Sequence, residues 1–212
     1  MSSIINPADV ILMFDPGHGT REYTKGKCAP DHSLYEGEWA RDMVPRLISA
    51  FSALGIKCIN IVPENEDIAR MERVKRANKI IAENKNKKCF YLSIHLNAAG
   101  SDGKWKTAQG FCVYVARTAS QDSKTLGKNL YEVAEEMGLA GNRSVPKEKY
   151  WQANFDVIYF TKCPAVLTEN LFQDNIVDLE FIKSERGKEI IVNLHLAGVC
   201  KTLGIPYALK IE

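Results

Sequence analysis

Five short apolar runs punctuate the chain, at 10–15 (VILMFD), 58–62, 89–95 (CFYLSIH), 111–116 and 165–168. Each is continuous rather than alternating, the pattern of a strand covered by helices on both faces. Between the runs, apolar residues recur at spacings of three and four. Trp39, Met43, Leu47, Ala50, Phe51 and Leu54 form one stripe, closed by Gly55. Ile68, Met71, Val74 and Ala77 form a second, within a helix predicted over 67–84, and 120–137 and 187–203 complete the predicted helices. Pro45 falls inside the first stripe, where its missing N–H predicts a kink or an interruption. Strand alternating with helix predicts an α/β fold: a single domain with a mostly parallel central sheet flanked by helices on both faces. No internal repeat and no Gly/Ser/Pro-rich linker divides it, so residues 1–212 read as one domain, with its core at 10–203 and no appended binding module.

Composition narrows the partners. The 212 residues are 45% apolar and 25% charged, enough for a full core and unlike a disordered chain. With 28 basic and 26 acidic residues the net charge is +2, so nothing in the charge calls for nucleic acid. No run approaches the roughly 18–20 apolar residues of a membrane span. The first nine residues lack the basic start and apolar run of a signal peptide, so cytoplasmic synthesis is expected. Six cysteines, none in a C-x-x-C pair, are expected to be reduced thiols. The lysines at 85–88 read as a solvated helix end rather than a binding patch.

In open α/β sheets, sites gather beyond the carboxyl ends of the strands. Asp15-Pro16-Gly17-His18-Gly19 follows the first run, Ser93-Ile94-His95-Leu96-Asn97 ends the third, and Glu169-Asn170 ends the last. Two histidines and a carboxylate therefore reach one edge. Two histidines, one acid and an open position form the ligand set of a catalytic zinc. Glu169, at the rim of an apolar wall, suits a general base, because burial raises a carboxyl pKa. A third ligand must then come from a nearby acid, and Glu36 and Glu38, opening the first long helix, both qualify; either could instead simply complement the helix dipole. Asp15 and Asp31 stand outside this set, His32 is expected in a surface loop, and His195 is expected to be a satisfied helix histidine.

These segments in this order, with Val166-Leu167-Thr168-Glu169-Asn170-Leu171-Phe172-Gln173-Asp174-Asn175, resemble the zinc-dependent N-acetylmuramoyl-L-alanine amidases. More narrowly they resemble the amidase_3 type of bacterial cell-wall hydrolases and phage endolysins. The similarity runs from Val10 to Leu203. It implies a catalytic domain around a six-stranded sheet, one zinc ion held by His18, Glu36 and His95, and Glu169 as the catalytic glutamate. Glu36 is preferred over Glu38 because aligning Gly55 with the family's helix-ending glycine lands on it. The implied substrate is peptidoglycan, cut at the amide between N-acetylmuramic acid and L-alanine. Asn97 is placed to orient a ligand, to hold substrate or to stabilise a turn. The implied enzyme is a monomer that reaches the wall after release or export.

Two features depart from the family pattern: a longer, charged loop over 21–31, and Pro45. Walls for a substrate groove are expected from the 97–109 loop with Trp105 and from 145–155 with Tyr150 and Trp151. The alternatives are a zinc peptidase or carboxypeptidase acting on stem peptides, and a wall-binding module without catalysis.

Overall fold

The alternation of strand and helix resolves into one six-stranded sheet between two layers of helices. The computed structural model describes residues 5–208. Along the chain come β1 (Val10–Pro16), α1 (Glu36–Ser52), β2 (Lys57–Asn60), α2 (Arg70–Glu83), β3 (Lys88–Asn97) and β4 (Cys112–Val115). Then follow α3 (Gln121–Glu136), β5 (Trp151–Gln152), α4 (Asp156–Tyr159), β6 (Ala165–Phe172), α5 (Ile176–Lys183) and α6 (Glu185–Leu203). The sheet order is β2-β1-β3-β6-β4-β5. The first four of these are mutually parallel; β4 runs antiparallel to β6, and β5 runs parallel to β4.

All five predicted strands and all four predicted helices are present. The sixth strand, β5, has two residues, too few to leave a periodic signal. Helix α1 runs through Pro45 as one element, with the proline on its exposed side, where water can replace the hydrogen bond its missing N–H forgoes. Ser120 and Ser184 cap α3 and α6 by accepting the N–H groups of Ser123 and Gly187, and Gly204 closes α6 in the left-handed conformation at φ 68°. All six cysteines are free.

Alternation along the strands sorts the core into two unequal halves. Val10, Leu12 and Phe14 of β1, Phe90, Leu92 and Ile94 of β3 and Val166 of β6 belong to the larger half, which α1, α3, α5 and α6 cover. Ile11, Met13, Cys89, Tyr91, Ala165 and Leu167 point the other way, under Ala77 of α2 and Val157 and Ile158 of the one-turn α4. The next residues of that second set are Asp15, Ser93, His95 and Glu169. The chemistry-bearing side chains therefore share the thinly covered face.

On the thick face, α6 crosses α3 at Gly198, where an added Cβ would lie 2.6 Å from Leu130 Cδ2 and 2.9 Å from its Cα. Gly198→Val should destabilise the fold by about 1–3 kcal/mol through overpacking. Urea unfolding would show this as a lower midpoint at an unchanged slope.

Candidate active site

Three strand ends and one helix start converge beyond the sheet. His18 lies just after β1, His95 near the end of β3, and Glu36 is the first residue of α1. Glu36 is buried, with 2% of its side chain exposed, while His18 and His95 keep 24% and 16%. Its Oε1 stands 2.9 Å from His95 Nδ1 and 3.6 Å from His18 Nε2. One ligand atom from each of the three falls within 4.8 Å of the others, a spacing that can hold a metal ion. Burial pushes the Glu36 carboxyl up, but the two imidazoles outweigh it and hold the group below its ordinary range. Burial likewise lowers the His18 pKa, whereas for His95 the Glu36 carboxylate overcomes burial and raises it.

The neighbours of this trio are ordered. Leu96 N–H donates to Glu36 Oε1 and Gln173 Nε2 to Oε2. On its far side, His95 Nε2 meets Ser93 Oγ at 3.1 Å, and Ser93 gives its own proton to Asp15 Oδ2 at 2.8 Å. The serine oxygen can then accept from Nε2–H, which leaves Nδ1, hydrogen-bonded to Glu36 in the metal-free site, as the nitrogen that would ligate once its proton is lost. Asp15 in turn pairs with Arg73 at 2.6 Å, and both are almost wholly buried. Arg73 also donates to the carbonyls of Pro16, His18 and Ile68, and Arg41 donates to the carbonyls of His18 and Gly37. Those two guanidinium groups hold the loop on which His18 sits at φ 56°. Gly17 is required there, because any Cβ would collide with the His95 ring.

Glu169 lies opposite His95 in the parallel pairing of β3 and β6, and opposite Cys112 across β4. Immediately beyond, the register slips, from His95 opposite Glu169 to Asn97 opposite Phe172, and Leu171 turns to φ 73°. This bulge ends regular pairing just past the glutamate. Glu169 Oε2 is enclosed and accepts no hydrogen bond from the described residues. Burial, with the Glu36 charge behind it, pushes the carboxyl up to about 8 against the pull of His95 and Lys27. In front of it opens a cavity of about 740 Å³, lined by His18, His95 and Glu169, by Lys27, and by an apolar wall including Ile68, Met71, Phe155 and Leu167.

Other expected residues land elsewhere. Glu38 forms a two-pronged pair with Arg21 instead of joining the histidines. His195 is buried in α6, its Nδ1 donating to the Ile191 carbonyl and Nε2 facing Thr168 Oγ1; burial depresses it to about 4. Exposed His32 sits beside Cys28 in the loop. Asn97 Oδ1 accepts the Ala98 N–H, as a turn asparagine does, while Nδ2 is enclosed. The expected groove walls are corrected. Tyr150 is in the core and Trp151 packs on Tyr114 and Tyr131, so both are anchors. Trp105 is exposed but does not line the cavity; the wall comes from the start of α2 and from α4, and from the 145–155 stretch only Phe155 contributes. Arg73, Ser93 and Gln173 were the supporting residues whose part sequence reading missed. Their one signal was position, since Ser93 and Gln173 stand inside the motifs themselves.

Residues 12–201 match the Amidase_3 family model, described as N-acetylmuramoyl-L-alanine amidase. The chain belongs to that family. An endolysin of Bacillus phage SPP1 is 23% identical over 92% of this chain and 66% of its own length. The Bacillus licheniformis N-acetylmuramoyl-L-alanine amidase CwlM is 26% identical over 92% of this chain and 70% of its own. This amidase-family chain thus spans about two thirds of the curated relatives it matches. Among solved structures, Ami1 of Mycobacterium smegmatis superposes with a TM-score of 0.77 at 19% identity, covering 95% of this chain and 100% of that one. An amidase of Clostridium difficile 630 gives 0.76 at 22%, covering 93% and 98%. At those identities the structures establish a shared fold.

Two measurements follow for this amidase-family chain. Arg73→Gln strands a buried carboxylate and should cost about 3–5 kcal/mol of stability, measured by urea unfolding. Glu169 carries the opposite sign. Its folded pKa, about 8, exceeds the ordinary 4.5, so folding favours its protonated form. The resulting penalty is absent below pH 4.5, grows between 4.5 and 8 and is complete above 8. Metal-free Glu169→Gln should therefore melt higher than wild type at pH 8–9, with the difference gone near pH 4.

Proposed function

We propose that the chain hydrolyses the amide between N-acetylmuramic acid and L-alanine in peptidoglycan, with a zinc ion held by His18, Glu36 and His95 and with Glu169 as general acid–base. One observation carries this reading. A buried carboxylate between two imidazoles, all able to ligate one ion, stands at the mouth of a cavity that also contains an unpartnered carboxyl group. The donor set, two nitrogens and one oxygen, is that of a catalytic zinc site with a position left for the reaction. Glu36, buried at 2% exposure and kept ionised by the two imidazoles, offers a carboxylate oxygen suited to a cation.

When bound, zinc supplies Lewis acidity, acidifying water and polarising a carbonyl. The chain's own residues do the rest. Glu169 takes a proton from the attacking water as the carbon–oxygen bond forms, and returns it to the L-alanine nitrogen as the carbon–nitrogen bond breaks. Burial alone favours the protonated glutamate; a divalent cation on the trio acts the other way, favouring the carboxylate that a base must be. Glu169 lines the cavity and is only partly buried as a residue, so its carboxyl group can meet water there. Asn97, two residues past His95 and beside the β3–β6 bulge, is proposed to hold substrate. The cavity is open rather than sealed, as a polymer requires, and no helix among the described residues is long and apolar enough to cross a membrane. The substrate lies outside the cell membrane, so the enzyme acts there after release or export.

Incubation with purified peptidoglycan should release new L-alanine amino termini without new reducing sugars. Chelation should abolish release and added zinc restore it. Glu169→Gln should lower the rate by about 10²–10⁴-fold while zinc stays bound at one per chain. Cleavage inside the stem peptide would make this a peptidase, and binding without any cleavage a wall-binding module. Ser93→Ala, which frees His95 Nε2, should weaken zinc binding by about 10–100-fold, read by competition with a chromogenic chelator.

A further inference from the structure

Cations in the cavity are almost all spoken for. Arg73 pairs with Asp15 and Asp67, and Arg70 pairs with Asp156 at 3.2 Å. Lys27 is the exception: its ammonium makes no ion pair or hydrogen bond among the described residues, yet the residue lines the cavity with His18, His95 and Glu169. The charge acts on both His18 and Glu169, disfavouring protonation of each, so it lies within electrostatic reach of the reacting groups.

Although Lys27 belongs to the charged 21–31 loop, its backbone is fixed. Its carbonyl accepts the N–H of Glu36 at 2.9 Å. Cys28 bridges to Tyr35, and Arg21 grips Glu38 on the first turn of α1. The lysine is thereby tied to the same helix start that presents Glu36. A free ammonium at a cavity that is otherwise partly apolar favours a ligand with a negative charge a short distance from the bond being cut.

Peptidoglycan chemistry says where that charge is. The carboxyl of N-acetylmuramic acid is consumed in the scissile amide and its sugar ring is neutral. The anion must then lie on the peptide side, and the first one available is the α-carboxyl of the residue after L-alanine, present as the acid in some walls and as the amide in others. Resting on the amidase reading above, we propose that Lys27 is the receptor for this carboxylate and makes the enzyme selective for acidic stem peptides. Another nearby cation, Arg143, is held over the rings of Trp151 and Phe172, at 5.9 and 5.7 Å from their centroids, and does not line the cavity.

Soluble glycan strands bearing stem peptides with D-glutamate or its α-amide at position two supply the test. Wild type should favour the acid by about tenfold in kcat/KM, mainly through KM, as expected for one charge-assisted hydrogen bond. Raising salt should shrink that preference. Lys27→Gln should bring the ratio close to one, Lys27→Arg should keep it, and Lys27→Glu should reverse it. Equal rates on both strands in wild type overturn the proposal, as does a preference that survives Lys27→Gln or is lost in Arg143→Gln instead. No release from either strand would refute the amidase reading itself.

Discussion

The guanidinium of Arg73 is the point on which the site depends. It is buried with Asp15 beneath the loop that carries His18, and its remaining donors satisfy three backbone carbonyls and Asp67. Such a pair contributes little net stability, because taking two charges out of water offsets most of their attraction. Geometry is what it supplies. Asp15, held in place, fixes Ser93, and Ser93 fixes the face that His95 presents to Glu36. One ion pair on the thin side of the sheet thus orders a loop, a strand-end histidine and the residue between them.

Strand parity explains why the chemistry sits there. Asp15, Ser93, His95 and Glu169 continue the set Ile11, Met13, Tyr91 and Leu167, whose cover is α2 and a single turn of α4. On the opposite face, Ile94 and Thr168 lie under α6, where His195 is sealed and held neutral. Two histidines at neighbouring heights thus have opposite fates through one step of side-chain direction. A shift of one residue in β3 would exchange His95 for Ile94 at the cavity.

Much of this was legible in the chain. Continuous apolar runs marked five strands, and the polar residues after them named His18, His95 and Glu169 before any geometry was known. The pairing of Glu36 with both histidines was within reach of a resemblance but not of spacing, since Glu36 and Glu38 differ by two residues on one helix turn and only tertiary contact sends Glu38 to Arg21. Arg73 was invisible because a helix arginine normally reads as a solvated face; it turns inward to backbone carbonyls that no local pattern reveals. The groove walls were misjudged for a related reason: Tyr150 and Trp151 are aromatic near the site, yet their rings pack on Tyr131, Tyr114 and the core, and the true wall is made by α2 and α4.

The outermost strands of the sheet, β2 and β5, have four and two residues. An edge that short offers a neighbouring chain few unpaired N–H and C=O groups to dock against. The long, largely apolar strands β1, β3 and β6 are therefore kept inside, where their backbone cannot seed cross-chain pairing. Concentrated protein is protected from aggregation by the brevity of its least regular elements, and lengthening β5 toward a regular strand would expose the side of the sheet that now has almost no edge.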